Sequence, residues 1–430
     1  MSVQTINPIS ATQKIRTDYL RYLRTAFPVL DSDLQNDFWQ ALQEPEMLVK
    51  GPILEATPEY QTGRTIENFV REGVLDSGFH DLCGPNLPVS RPLYLHQDQA
   101  IEKLVSGGRN LVVATGTGSG KTETFIISVL NHLLQEEKSG TLDMPGIRAL
   151  LLYPMNALAN DQLKRLRSIL ESYPSITFGR YTGETKHDYE DARKRFHEQF
   201  PGEKLLKNEL ICRRQMQETP PHFLLTNYAM LEFLLLRPAD NVFFDGPTAN
   251  HWQFIVLDEA HVYDGAQGIE IAMLLRRLKD RVVQSERGKL QVIATSATLG
   301  RGKEDFPAVV QFASNLFNED FEWIGDNPDR QDVVEATRVV WHASEQSWQE
   351  DDPQIFVMMR NLIADSEQHD IQALSRLAIA YGAPAEVFER AETASDQVGD
   401  WEQRVNTYLY YFLGGNHRLV MLHEKLSDSP

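Results

Sequence analysis

Cysteine is scarce in this chain: Cys83 and Cys212 are the only two among 430 residues, and they form no C-x-x-C pair. That spacing argues against a disulfide framework, a zinc ribbon or an iron–sulfur cluster. His132, His187, His197 and His222 show no H-E-x-x-H spacing of the kind that holds a catalytic zinc. No apolar run approaches the ~20 residues that span a bilayer. The opening "MSVQTINPIS" has no basic region leading into an apolar core, so no secretory signal is expected there. A reducing cytoplasm is the compartment these features suggest. Positive charge is also in short supply, with 42 Lys and Arg against 61 Asp and Glu, a net charge of −19. Nucleic-acid binders tend to carry basic stripes, so the bulk charge weighs mildly against that class. A motor, however, needs only a local groove of favourable potential.

What is present is an ordinary globular balance, 42% hydrophobic and 24% charged residues, in a chain long enough for two or three domains. Residues 1–88 read as a helical accessory region. "TQKIRTDYLRYLRTAF" and "DSDLQNDFWQALQ" carry apolar residues at helical spacing, with Asp31 or Ser32 as N-cap. "CGPNLPVSRP" reads as a linker. Between 89 and 305 short β-rich runs alternate with amphipathic segments: "NLVVAT", "RALLLYP", "SITFGRYTG", "HFLLTN", "FIVLDEA" and "QVIATSAT". That alternation predicts an α/β fold, a parallel sheet flanked by helices. The polar stretch 186–218 reads as exposed helices. From 306 to 430 strand signals fade and the chain reads as mostly helical.

Chemistry concentrates first in "VVATGTGSGKTETF" (112–125). Strand, glycine-rich turn and helix follow in the order a phosphate cradle requires, with backbone N–H groups and a helix N-terminus facing the phosphates. Lys121 would meet the β/γ oxygens and Thr122 would offer its hydroxyl to Mg²⁺. Gly118 and Gly120 let the backbone approach closely. The expected nucleotide contacts are Thr117, Gly118, Ser119, Gly120, Lys121, Thr122 and Glu123. Thr115 stands where the usual P-loop has its first glycine. The second concentration is "FIVLDEAH" (254–261), an apolar strand ending in paired carboxylates. Asp258 suits Mg²⁺, and Glu259 suits orienting and deprotonating the attacking water. A nuclease would need clustered carboxylates with a lysine, and no such set stands out.

Together these residues resemble the first RecA-like lobe of a superfamily 2 helicase of the DEAH-box type, over roughly residues 90–305. The resemblance implies ATP and Mg²⁺ as cofactors and a nucleic-acid partner. Within it, "LYLHQDQA" makes Gln97 the reader of the adenine edge and Tyr94 a stacking ring, and a missing first P-loop glycine is normal. "YPMNALANDQ" resembles motif Ia (Pro154, Asn156, Gln162). "YTGET" (Thr182, Gly183) and "LLTNYAMLE" (Thr226, Asn227) resemble the strand-end motifs that touch the nucleic-acid backbone. Ser296, Ala297 and Thr298 resemble motif III, which couples nucleotide to strand movement, and His261 shares that coupling role; its bland alternative is a hydrogen-bonded core histidine. "DEAHVYDGAQGIEIAMLLRRL" is similar to the MrfA-type repair helicases and to large helicases of the DISARM and Druantia anti-phage systems. That likeness implies DNA and 3′-to-5′ movement. Lys164, Arg165 and Arg167 are either groove charges or a solvated helix face, "ARKRF" is read as a solvated helix, and Arg276 and Arg277 receive no chemistry.

The second RecA-like lobe of such a motor supplies motif VI arginines, and no Q-x-x-G-R-x-G-R pattern follows residue 300. The expectation is therefore the N-terminal part of a longer ATP-dependent DNA helicase, binding ATP, hydrolysing it feebly and not unwinding alone. An arginine finger is worth on the order of 10³–10⁵ in related reactions. Its second lobe would come from the rest of the chain or from a partner subunit. The rival readings are a nucleotide-switched binding module that never translocates, and an RNA helicase.

Overall fold

The computed structural model describes residues 8–44, 48, 59–82, 84, 86–116, 118–297, 302–339, 354–364, 371–381, 385–396, 401–414, 416, 419 and 421. Thr117 and Thr298 lie outside them. The chain divides into two compact units, residues 60–338 and the two flanking stretches 1–59 and 339–430.

The flanking unit is helical where it is described. Its first helices are α1 (Pro8–Ala26) and α2 (Ser32–Gln43). Asp31 caps α2, its carboxylate accepting from the N–H groups of Asp33 and Leu34.

The larger unit is built on an eight-stranded sheet in which every pairing is parallel. A separate antiparallel pair, β1 (Thr62–Thr65) and β2 (Pro92–Tyr94), precedes it. The sheet strands are β3 (Leu111–Ala114), β4 (Ala149–Tyr153), β5 (Phe178–Arg180), β6 (Glu209–Leu210), β7 (Phe223–Asn227), β8 (Phe254–Leu257), β9 (Gln291–Ser296) and β10 (Val333–Glu335). Their order across the sheet is β10-β3-β9-β8-β4-β7-β5-β6. Helices α3 (Ile66–Arg71), α4 (Leu95–Ile101), α5 (Lys121–Ser139), α6 (Asn156–Leu170), α7 (Tyr189–Gln199), α8 (Arg213–Glu218), α9 (Tyr228–Leu236), α10 (Gly265–Val283) and α11 (Phe306–Phe317) fall between the strands.

Period-two alternation assigns side chains to the two faces. Leu111, Val113, Leu151, Tyr153, Leu225, Val256 and Ile293 pack with α3–α6 in one core. Val112, Leu150, Leu152, Leu224, Ile255, Leu257 and Val292 pack with α9–α11 in the other. Burial on both faces is why these strands read as continuous apolar runs. The expected RecA-like lobe of 89–305 is widened by the structure. Residues 60–88 supply β1 and α3, whose Ile66 and Phe69 enter the first core, and 306–338 supply α11 and the edge strand β10.

After the lobe come α12 (Gln354–Ala364), α13 (Ile371–Ala380), α14 (Ala385–Ser395) and α15 (Trp401–Gly414). They share a small core of Ile355, Met359, Leu374, Val387, Tyr408 and Phe412. Among the described residues no helix is long and apolar enough to cross a membrane.

Candidate functional site

The carboxyl ends of the strands divide into two groups. Those of β3, β9 and β8 are neighbours and carry the glycine-rich turn, Ser296 and Asp258-Glu259; those of β4, β7 and β5 carry Pro154, Thr226-Asn227 and Thr182-Gly183. Ligands of open parallel sheets gather at this edge.

In the first group the turn is held from several sides. The Thr115 N–H donates to the Ser296 carbonyl (2.9 Å), and the Thr115 hydroxyl shares a 2.6 Å bond with the Ser119 hydroxyl. Thr115 has a negative φ and a strand-like role, so no glycine is needed there. Gly118 and Gly120 do need to be glycine: their φ angles are +77° and +73°. A Cβ on Gly120 would also run into Nε2 of Gln97. Gly120 is the residue from which α5 departs, which places Lys121 and Thr122 in the helix's first turn.

Lys121 Nζ donates to Glu259 Oε1 at 3.0 Å, with both side chains largely buried. Glu259 holds φ +51° and ψ +49°, a left-handed conformation that a glutamate adopts only where its surroundings impose it. Its other oxygen, Oε2, is buried without a hydrogen-bond partner; His261 Nδ1 lies 3.3 Å away, near enough for attraction if protonated but outside hydrogen-bond geometry. The same Nδ1 is 3.2 Å from the Ser296 hydroxyl, so His261 touches both the carboxylate and the end of β9. Asp258 is buried and accepts from the Thr295 hydroxyl. Burial pushes the Asp258 carboxyl above its ordinary range, and the Thr295 bond opposes that shift. Ala297 follows, half-buried.

Gln97 is placed against the turn but is already engaged. Its Oε1 accepts from the Tyr94 N–H (2.9 Å), and its Nε2 donates to the Gly120 carbonyl (3.0 Å) and to Glu123 Oε2 (3.0 Å). Tyr94 stacks on His96 at 5.6 Å and meets the edge of Tyr60 at 5.2 Å. His96 Nε2 bonds the Ser119 carbonyl (2.8 Å), and burial depresses the His96 pKa. The Glu123 carboxylate is buried under three donors: Gln97, Arg91 (2.6 Å) and Arg165 (2.6 Å). Arg91 and Tyr60 carry no motif signal, His96 lies within "LYLHQDQA" without a role expected of it, and Arg165 was expected only as a groove charge or part of a solvated face. The one available hint was Glu123 itself, a carboxylate placed just inside an apolar helix, which demands a cationic partner.

The second group is a closed hydrogen-bonded surface. Asn227 Nδ2 donates to Asn156 Oδ1 (2.7 Å), and Asn156 Nδ2 donates to Glu184 Oε1 (3.2 Å). Asn227 Oδ1 also caps α9 by accepting from the Met230 N–H (2.8 Å). Thr226 and Thr182 are fully buried; the Thr226 hydroxyl donates to the Tyr181 carbonyl (2.6 Å) and that of Thr182 accepts from the Glu184 N–H (3.4 Å). Gly183 is exposed with open space where a Cβ would stand, and Pro154 is half-buried. The two groups meet through α6: Gln162 Nε2 donates to the Thr122 hydroxyl at 3.1 Å.

Of the basic trio on α6, only Lys164 is exposed. Arg167 is neither a groove charge nor solvated. Its side chain is buried, ion-paired with Glu209 and Glu203 and lying over the rings of Phe196 and Phe200.

A strand–turn–helix cradle facing a strand that ends in a carboxylate pair, at the carboxyl edge of a parallel sheet, defines a RecA-like nucleotide-binding lobe. Residues 94–306 form a DEAD/DEAH box helicase domain, the stretch that the model of that family matches. It is similar to the Druantia protein DruE of Escherichia coli (strain UMEA 4076-1), 31% identical over 379 residues, covering 68% of this chain and 20% of that protein. It is also similar to the ATP-dependent helicase MJ1574 of Methanocaldococcus jannaschii, 30% identical, covering 54% of this chain and 28% of that one. A crystal structure of the helicase MrfA bound to DNA matches with a TM-score of 0.44 and 24% identity, covering 66% of this chain and 30% of the other. The chain thus spans only a fifth to a quarter or so of the length of the two curated relatives.

Proposed function

We propose that this chain is the first motor lobe of an ATP-dependent DNA helicase, coupling ATP hydrolysis to movement on single-stranded DNA. The observation that carries the reading is the 3.0 Å pair of Lys121 and Glu259. It sets the phosphate-binding cation and the water-activating carboxylate face to face across the turn.

The residues fit a magnesium nucleotide. The turn has its two left-handed glycines, and a buried carboxylate oxygen of Glu259 has a free lone pair. Among the described residues no three His, Cys, Asp or Glu side chains cluster as metal ligands. A magnesium ion would lean on Thr122, Asp258 and the phosphates of the substrate. When bound, it would neutralise charge developing on the γ-phosphoryl oxygens. Lys121 would exchange Glu259 for those oxygens, and Glu259, released, would accept the proton of the attacking water. His261, touching both Glu259 and Ser296, would report that change to the end of β9.

DNA is favoured over RNA by the run from Asp258 to Leu278 that resembles the MrfA-type helicases, and an anti-phage setting by the likeness to DruE. A second RecA-like lobe, in cis or from a partner, would bring the arginines of motif VI. The test is ATP turnover with and without single-stranded DNA or RNA, using Lys121→Ala as blank. DNA-stimulated turnover abolished in the variant supports the reading. Turnover unchanged by Lys121→Ala would sink it, and stimulation by RNA alone would replace DNA with RNA.

A further inference from the structure

One helix serves both halves of the strand-end edge. In the first turn of α6, Asn156 joins Asn227 and Glu184 at the ends of β4, β7 and β5. One turn on, Asn160 accepts from Arg180 of β5. Further along, Gln162 reaches the Thr122 hydroxyl (3.1 Å) and Arg165 holds Glu123 (2.6 Å). These are the two residues that follow the phosphate lysine. Between these flanking polar residues α6 is locked into the core by Ala159, Leu163, Leu166, Ile169 and Leu170.

We propose that α6 is the coupling element of the lobe, and that Gln162 and Arg165 are positioning residues that convey the state of the nucleotide site to the loops at the ends of β4, β7 and β5. The proposal rests on the function proposed above and adds to it a route distinct from His261 and Ser296.

The Gln162 amide has the chemistry for two arrangements. Its Nε2 donates to the Thr122 hydroxyl, while its Oε1 is buried without a hydrogen-bond partner. A hydroxyl that gives one lone pair to a cation becomes a poorer acceptor and a stronger donor of its remaining proton, which favours an acceptor as its neighbour. The unused Oε1 is such an acceptor on the same side chain. A change of ligand at Thr122 therefore favours turning the amide, which lies two turns from Asn156. The Arg165–Glu123 pair fixes the spacing of α5 and α6 at this level. A displacement is then passed along a rigid helix rather than absorbed, since packed elements shift between discrete arrangements.

The experiment measures the affinity of the chain for a fluorescein-labelled oligothymidylate with and without a non-hydrolysable ATP analogue and Mg²⁺. Nucleotide affinity is measured separately. The wild type is expected to change its oligonucleotide affinity by ~5-fold or more on adding the analogue, a ratio that measures coupling between sites. Gln162→Ala and Arg165→Ala are each expected to bring that ratio to about 1 while leaving nucleotide affinity within about threefold of wild type. A purely structural role would lower both affinities and leave the ratio intact. The proposal is overturned if both variants keep the wild-type ratio, or if the wild type binds both ligands without coupling. Loss of nucleotide binding in both variants also overturns it, since they would then be binding residues. A wild type that binds no nucleotide would sink the functional reading itself, and this inference with it.

Discussion

The two halves of the strand-end edge are built on the same parallel sheet and differ in what their polar side chains face. At β3, β9 and β8, charges face each other unspent: Lys121 rests on Glu259, and Glu259 Oε2 is buried with its hydrogen-bonding capacity unused. At β4, β7 and β5, the Asn and Thr side chains at the strand ends are engaged, Asn227 by Asn156 and Met230, Thr226 by the Tyr181 carbonyl, Asn156 by Glu184, while the Tyr153 hydroxyl and Gln162 Oε1 are buried without a hydrogen-bond partner. Unsatisfied buried groups are costly and persist where a ligand completes them. Satisfied ones fix a shape. The first half is thus suited to chemistry on a small charged ligand, and the second to presenting a stable backbone surface such as the open turn at Gly183. Main-chain N–H groups on such a surface grip phosphates without reading bases.

The largest expected effect sharpens that contrast from the charged side. Glu259→Gln should cut ATP turnover by ~10²–10⁴, the usual worth of a general base. Nucleotide affinity should hold or improve, because the amide competes less well for Lys121. Turnover assays beside fluorescent-nucleotide titration check this, and a parallel loss of affinity would make Glu259 a binding group instead.

The next effect lies beside the second half, at the entry to β7. His222 Nδ1 accepts from the Thr177 N–H (3.0 Å) and Nε2 contacts the Leu142 carbonyl (3.0 Å), so the ring is held neutral with its proton on Nε2. Burial, with Arg148 nearby, lowers its pKa to about 4. A depressed pKa means stability that is present above the ordinary value near 6.5 and is lost as pH falls through about 4. The loss should be roughly 3 kcal/mol at full protonation. Thermal unfolding across that window should show a steeper acid limb than in His222→Gln, and identical limbs would dismiss the assignment.

Asn227→Ala removes an N-cap and the link to Asn156 together, and should cost about 1–2 kcal/mol in denaturant unfolding. Oligonucleotide affinity should fall while nucleotide affinity stays. A fall in nucleotide affinity instead would blur the division between the halves. Gly183→Ala should be smallest. The φ of Gly183 is ordinary and nothing stands near its Cβ position, so stability should move by no more than ~0.5 kcal/mol. Any change should appear in oligonucleotide affinity, and unaltered affinity would remove that turn from the proposed surface.

The six apolar runs between 111 and 296 all became sheet strands, because strands buried on both faces must be apolar throughout. β6 and β10 were not legible. Two and three residues in polar surroundings have no periodicity, and only the edge of a neighbouring strand makes them strands. The turn and the carboxylate pair were legible because phosphate and magnesium chemistry dictate both residue type and order. Gln97 was expected beside the turn and lies there, but its bonds to Tyr94, Gly120 and Glu123 were not legible, since they depend on how α4 lies against the turn. Arg165 and Arg167, two residues apart on one helix, show the same limit. One is tied to the P-loop helix and the other is buried against Glu209 and two phenylalanines.

What the sequence by itself determined is therefore the class of fold, where along the chain its core strands fall and which residues form the glycine-rich turn, because each follows from local pattern and obligatory chemistry. What only the tertiary structure decided is who partners whom: Lys121 with Glu259, Thr122 with Gln162, and Glu123 with Arg91 and Arg165. Those pairs join segments from 32 to 138 residues apart. Their meeting is fixed by the strand order and by which face of each helix enters the core, neither of which is written in a local window of sequence.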